Sequence, residues 1–127
     1  MFDLDHFGDF NKQHGHQIGD QVLRAFAGVL RARFRDADLV ARFGGEEFVV
    51  VLEGANRDAA VVVAEEILAS LAELPITSGD GATLPVTVSA GCAELGEAEP
   101  TGEQLLRTAD VALFMAKRAG RNRVVAA

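Results

Sequence analysis

The sequence predicts an α+β domain, a mixed β-sheet with helices packed on it. Three observations carry this expectation. Strand-like alternation and helix-like periodicity take turns along the chain, with no internal repeat and no low-complexity tract. Val49, Val50, Val51 and Leu52 form an unbroken apolar run, as in a strand covered on both faces. The 127 residues are one domain's worth, enough to bury a core without disulfides or a structural metal.

Met1 to Leu4 reads as a short strand in which Asp3 and Asp5 alternate with Phe2 and Leu4. A strand entered so close to the first residue suggests a domain, residues 1–127, without its N-terminal segment or any upstream regulatory domain. From Ile18 to Phe34 the apolar positions Ile18, Val22, Phe26, Val29 and Leu30 keep helical spacing. Asp38 to Phe43 and Phe48 to Leu52 read as two strands of a hairpin, separated by Gly44, Gly45, Glu46 and Glu47. Arg57 to Leu74 carries a helical stripe of Ala60, Val63, Ile67, Leu71 and Leu74, and Pro75 helps to stop it. Val86, Val88, Ala90 and Cys92 alternate with Thr87, Ser89 and Gly91, the pattern of a half-buried strand. Thr101 and Gln104 have capping-box spacing. The helix they open buries Leu105, Ala109, Ala112, Leu113 and Ala116, and Gly120 ends it. Arg123 to Val125 supplies a last strand. An arrangement of the ferredoxin-like type satisfies this order.

Composition narrows the function. Apolar residues are 49% and charged residues 24%, a globular balance, and no segment is long and apolar enough for a membrane span. A net charge of −7 argues against a broad nucleic-acid footprint, which needs clustered Lys and Arg. Cys92 is the only cysteine, which fits a reducing cytoplasm. A phosphate substrate would have to be recruited locally, through metal on carboxylates, exposed amides and a few placed cations.

Two segments carry chemistry. In Arg42-Phe43-Gly44-Gly45-Glu46-Glu47-Phe48, adjacent carboxylates sit at the tip of a hairpin. Paired glycines there are commonly just a solvated turn, free to take positive φ. They also admit a close approach by phosphate, and the glutamates are hard oxygen ligands suited to Mg²⁺ or Mn²⁺. The second segment begins Asp3-Leu4-Asp5-His6-Phe7 and continues through Asn11, His14, Gly15, His16, Gly19 and Asp20. If its strand lies beside the hairpin, Asp3 and Glu46 converge on one metal pair suited to phosphoryl transfer. Asp5 reads better as a helix cap than as a ligand, and His14 and His16 as packing or capping groups. By spacing alone Asn11 and Asp20 are surface residues, although an amide with a carboxylate is also the pair that reads a guanine edge.

These segments, with Ser89-Ala90-Gly91, Ala109-Asp110, Ala116-Lys117 and Gly120-Arg121-Asn122, together resemble the GGDEF domain of diguanylate cyclases, in a GGEEF form of the signature. The resemblance covers Asp3 to Val125. It implies a palm-type fold related to nucleotidyl cyclases, and condensation of two GTP into cyclic di-GMP with release of pyrophosphate across a homodimer. By the same resemblance Asp3, the Leu4 carbonyl and Glu46 would hold Mg²⁺ or Mn²⁺, with Glu47 assisting. Asn11 and Asp20 would read guanine, Gly44 and Gly45 would lie against the nucleotide, and Lys117 and Arg121 would contact its phosphates. Arg35 and Asp38 would form a product-inhibition site, and an upstream sensory or receiver domain would regulate the whole. The chain departs from the family at Gly8, where a lysine is usual, and at Lys12, where an aspartate commonly follows the asparagine. Two rival readings stand beside an active cyclase. One is a weak or inactive domain that binds GTP or cyclic di-GMP as a signal, and the other is a dimerising structural domain whose acids are surface charge.

Overall fold

The computed structural model describes residues 1–97 and 100–127. Its elements run β1 (Phe2–Leu4), α1 (Phe7–His14), α2 (His16–Arg33), β2 (Leu39–Arg42), β3 (Glu47–Val51), α3 (Arg57–Glu73), β4 (Val88–Cys92), α4 (Gly102–Arg118) and β5 (Val124–Ala126). The five strands form one mixed sheet in the order β2-β3-β1-β4-β5, antiparallel except where β4 meets β5. The expected α+β class is therefore the observed one.

Alternation along β1 decides what each face holds. Phe2 and Leu4 enter the main core with Val22, Phe26 and Leu30 of α2 and Ile67 and Leu71 of α3. Phe26 sits edge-on between the rings of Phe2 and Phe48, at 5.8 and 5.0 Å between centroids. Met1 points the other way and packs with Val49, Ala109 and Leu113 under α4. Asp3 shares Met1's parity and so faces α4 as well.

α4 lies very close to the sheet. A Cβ built on Gly91 would stand 2.1 Å from the carbonyl oxygen of Ala109 and 2.3 Å from the Leu113 nitrogen, so only glycine fits there. At the start of α4 Thr101 accepts from the Gln104 N–H at 3.2 Å, the predicted cap. Gly120, at φ 122°, follows its end.

One element was not anticipated, and three expectations need correction. Residues 7–14 form a helix, α1, that the polar run of Asn11, Lys12, Gln13 and His14 did not announce; its apolar side is Phe7 and Phe10, stacked at 6.3 Å. β4 is buried at all five positions, because helices cover both of its faces, and it starts at Val88. The covered part of β3 is Phe48 and Val49, whereas Val51 is 43% exposed near the end of the hairpin. Asp5 does not cap α1, whose first turn follows a left-handed His6 with no side-chain cap.

Candidate active site

Asp3 lies in the middle of the sheet, opposite Glu47 on β3 and Ser89 on β4, and is 5% exposed. The Leu4 N–H donates to the Glu46 carbonyl at 3.2 Å, which joins the end of β1 to the hairpin tip. Lys117, near the end of α4, reaches Asp3 Oδ2 at 2.9 Å. The other carboxylate oxygen, Oδ1, is buried with no hydrogen-bond partner. Burial, and then the negative charge of Asp3, push the Glu46 carboxyl above its ordinary pKa, against the pull of the Lys117 ammonium. Two acids are thus held together at a cost that Lys117 offsets only in part.

The hairpin tip is fixed from within. Glu47's carbonyl accepts from the Phe43 and Gly44 N–H groups at 2.7 and 3.3 Å. The Arg42 guanidinium donates to the carbonyls of Gly44 and Gly45 at 3.1 and 2.6 Å. Sequence reasoning gave Arg42 no role beyond the motif; its place two residues before the glycines was the available signal. Neither Gly44 nor Gly45 has positive φ. A Cβ on Gly45 would meet open space, and one on Gly44 only ordinary contacts with Glu47. Their smallness therefore leaves room above the tip and is not needed by the turn.

A second polar knot supports the site from below. Asp5 accepts from Thr87 Oγ1 and Ser89 Oγ, both at 2.7 Å, and from the Asn122 N–H at 3.0 Å. Arg121 and Asn122 are both left-handed, at φ 64° and 48°, a conformation that costs roughly 1–2 kcal/mol per residue. Asp5 thus pins a strained turn and with it the end of α4 that carries Lys117.

Asn11 lies at the junction of α1 and α2, against Gly19, the residue before Asp20. A Cβ on Gly19 would fall 1.8 Å from Asn11 Oδ1, so the amide lies directly over Gly19, and that oxygen is buried without a partner. Asp20, the next residue along α2, is exposed. His14 packs on Phe10 at 4.7 Å, and His16 is exposed. Gly8 is exposed on α1 with ordinary φ and open space around it, so the backbone would accept a lysine there.

Arg35 and Asp38 sit at the opposite end of the hairpin, on the order of 15 Å from its tip by the rise of β2. Asp38 accepts from the backbone N–H of Arg35 at 3.1 Å and of Glu53 at 3.3 Å, and its Oδ2 is 3.5 Å from Arg35 Nε. These bonds, that from the Arg35 N–H foremost, hold its carboxyl below the usual range. The Arg35 side chain is largely exposed. It borders a cavity of about 300 Å³ with Arg33, Phe34, Leu52 and Val63.

Among the described residues no three His, Cys, Asp or Glu side chains gather as a ready metal cage. Mg²⁺ does not need one. It is commonly held by one or two carboxylates with water and substrate phosphate completing the shell, and the unpartnered Asp3 oxygen beside a strained Glu46 suits that mode. No helix among the described residues is long and apolar enough to cross a membrane.

The family model for the diguanylate cyclase GGDEF domain matches residues 1–123. The chain belongs to the GGDEF domain family. It is 44% identical over 124 residues to the diguanylate cyclase DgcP of Pseudomonas aeruginosa, and 40% identical over 124 residues to diguanylate cyclase A of Treponema denticola. Each alignment covers 98% of this chain but only 18% and 33% of the relative, so the chain spans a third or less of these proteins. Among solved structures, the GGDEF domain of DgcB from Caulobacter crescentus in complex with c-di-GMP superposes with a TM-score of 0.92 at 36% identity. That match covers 98% of this chain and 74% of that one.

Proposed function

We propose that this GGDEF domain is the catalytic domain of a diguanylate cyclase and condenses two GTP into cyclic di-GMP. The observation that carries the proposal is buried Asp3 held close to the half-buried Glu46, with one Asp3 oxygen unpartnered and Lys117 alongside. A fold held together by packing gains nothing from a buried acid set against a second, half-buried one, whereas a metal-dependent phosphoryl-transfer site uses such a pair.

Asp3, the Leu4 carbonyl and Glu46 would hold Mg²⁺ or Mn²⁺, with Glu47 assisting. When bound, the metal screens the triphosphate and stabilises charge at the reacting phosphorus. Asn11 and Asp20 orient the guanine, Asn11 with a carbonyl that already lacks a donor. Gly44 and Gly45 leave space for the nucleotide. Lys117, released from Asp3, and Arg121 contact phosphate. Two such domains face each other. Each 3′-hydroxyl attacks the α-phosphorus of the other GTP, so two phosphodiester bonds form and two pyrophosphates leave. Cyclic di-GMP returns to Arg35 and Asp38, away from the hairpin tip, and lowers activity. An upstream sensory or receiver domain controls how two copies meet. GTP as substrate and a lone buried Cys92 fit a cytoplasmic setting.

The test is incubation of the purified chain with GTP and Mg²⁺, followed by chromatography for cyclic di-GMP and pyrophosphate. Production in wild type and its loss in Asp3→Asn and Glu46→Gln, with the fold intact by circular dichroism, is the expected result. GTP binding without product in wild type would favour the signal-binding reading, for which the missing cation at Gly8 speaks. Turnover in both variants with unchanged metal dependence would dismiss the site.

A further inference from the structure

α2 and α3 lie side by side on one face of the sheet, both packed into the main core. They run in opposite directions, because α2 ends and α3 begins at the end of the sheet away from the hairpin tip. They also carry opposite charge. α2 holds Arg24, Arg31 and Arg33 against the single acid Asp20, whereas α3 holds Asp58, Glu65, Glu66 and Glu73 against the single cation Arg57. On α2 the stripe turned away from the core is Gln21, Arg24, Gly28 and Arg31, all exposed. On α3 it is Val62, Glu65, Ala69 and Glu73, also exposed.

The ion pair of Arg33 with Glu66, at 2.7 Å, sets the register between the two helices. Counting from it, a step down α2 is a step up α3. Arg31 comes level with Leu68, Gly28 with Leu71, and Arg24 with Pro75 just past the end of α3. Glu65, Ala69 and Glu73 therefore stand within roughly 3–5 Å, along the axis, of the heights of Arg31, Gly28 and Arg24. Within one chain these stripes share a surface and do not face each other. A half-turn about an axis parallel to the helices keeps every height and exchanges the two positions. A second copy so turned lays its α3 on α2 and its α2 on α3. Arg24 then meets the partner's Glu73 and Arg31 the partner's Glu65, twice over, because such an interface is isologous. Gly28 meets the partner's Ala69, and neither has the bulk to hold the helices apart. A half-turn about the perpendicular axis would instead set arginine on arginine, which like-charge repulsion opposes.

We infer that the outward face of α2 and α3 is a docking surface for a second copy of this chain, joined through Arg24 to the partner's Glu73 and Arg31 to the partner's Glu65. In this pair both hairpin tips point towards the same end, side by side with the helix layers of both copies between them. It is a resting association, separate from the facing arrangement proposed for turnover.

The experiment reads association by sedimentation velocity and does not depend on turnover. Wild type, measured from micromolar to millimolar, passes from monomer to dimer. Raising salt from about 0.05 to 0.5 M weakens the dimer severalfold, as exposed ion pairs require. Arg24→Glu with Arg31→Glu makes both stripes acidic, and Glu65→Arg with Glu73→Arg makes both basic. Each of these double variants alone associates about tenfold more weakly than wild type or worse, and mixing the two restores a dimer that holds one of each. All four changes are at exposed positions, and circular dichroism checks the folds. Gly28→Cys and Ala69→Cys proteins, mixed and oxidised, form a disulfide-linked pair while neither does so alone; the native Cys92 is buried and takes no part. A wild type that stays monomeric at millimolar concentration would overturn the inference. So would a mixture of the charge variants that associates no better than its components, or cross-linking by Gly28→Cys alone, which marks α2 packed on α2.

Discussion

Gly91→Ala tests how packing sets the active-site geometry. The added methyl would lie 2.1 Å from the Ala109 oxygen, about 1 Å inside the 3.0 Å that real Cβ atoms respect. Its neighbours are helix backbone, so no rotamer change relieves the clash and α4 must move away by about 1 Å. Overpacking of this kind costs about 1–3 kcal/mol, and a backbone-on-backbone clash belongs at the upper end. For a domain of this size that is a fall in Tm of roughly 5–15 °C. Lys117 lies one turn beyond Leu113 on the same helix, so its 2.9 Å contact with Asp3 should be lost as well. Cyclic di-GMP formation then falls even well below the melting temperature. Gly28→Ala is the control: Gly28 is exposed on α2 with nothing within 4 Å, and the change should stabilise by about 0.5–1 kcal/mol. Thermal scans by circular dichroism and a GTP turnover assay read both effects. A Gly91→Ala protein that melts within about 2 °C of wild type and turns over normally would refute the idea that this close approach fixes Lys117.

At Gly19 the obstacle is the end of the Asn11 side chain, which can rotate, so Gly19→Ala should leave Tm nearly unchanged yet raise the KM for GTP severalfold; an unaltered KM means that Asn11 does not touch the nucleobase. Asp5→Ala removes three acceptor bonds and the anchor of a left-handed turn, and should cost about 3 kcal/mol, seen as a lower urea midpoint with an unchanged m-value. Glu46 is held above its ordinary pKa of 4.5, so its contribution to stability is present below that value and fades as pH rises through its folded pKa. Urea unfolding of wild type against Glu46→Gln should therefore show a falling difference from pH 4.5 upward; parallel curves would mean that Glu46 is unstrained. Arg35→Ala should weaken cyclic di-GMP binding in calorimetry without changing the KM for GTP, and equal affinity in both proteins removes the inhibitory site.

The fold was legible where one face of an element is buried. Val22, Phe26 and Leu30 repeat at helical spacing because a single side of α2 meets the core, and α4 announced both its stripe and its Thr101 cap. It was illegible where context overrides pattern. Residues 86–92 alternate apolar and small polar residues, yet β4 is buried on both faces, because Ser89 spends its hydroxyl on Asp5 and Gly91 admits α4. α1 was hidden because eight residues with only Phe7 and Phe10 as anchors give too little periodicity, and its stability comes from packing on α2.

The candidate site divides in the same way. That Asp3 and Glu46 could meet followed from one condition, β1 lying beside the hairpin, and the sheet order meets it. What no spacing could supply was Asp5's partner set, because Thr87, Ser89 and Asn122 are more than eighty residues away in the chain and are gathered only by β4 and the turn after α4. Asp3 and Asp5 have the same parity, the same side chain and nearly the same burial. Every oxygen of Asp5 is answered by a donor, while Asp3 keeps one oxygen unanswered. In a buried site that difference separates an acid that holds the fold from one whose charge the fold leaves partly unanswered, as the proposed metal ligand would be. It is decided by which donors the rest of the chain delivers, and so belongs to tertiary structure and not to the local sequence.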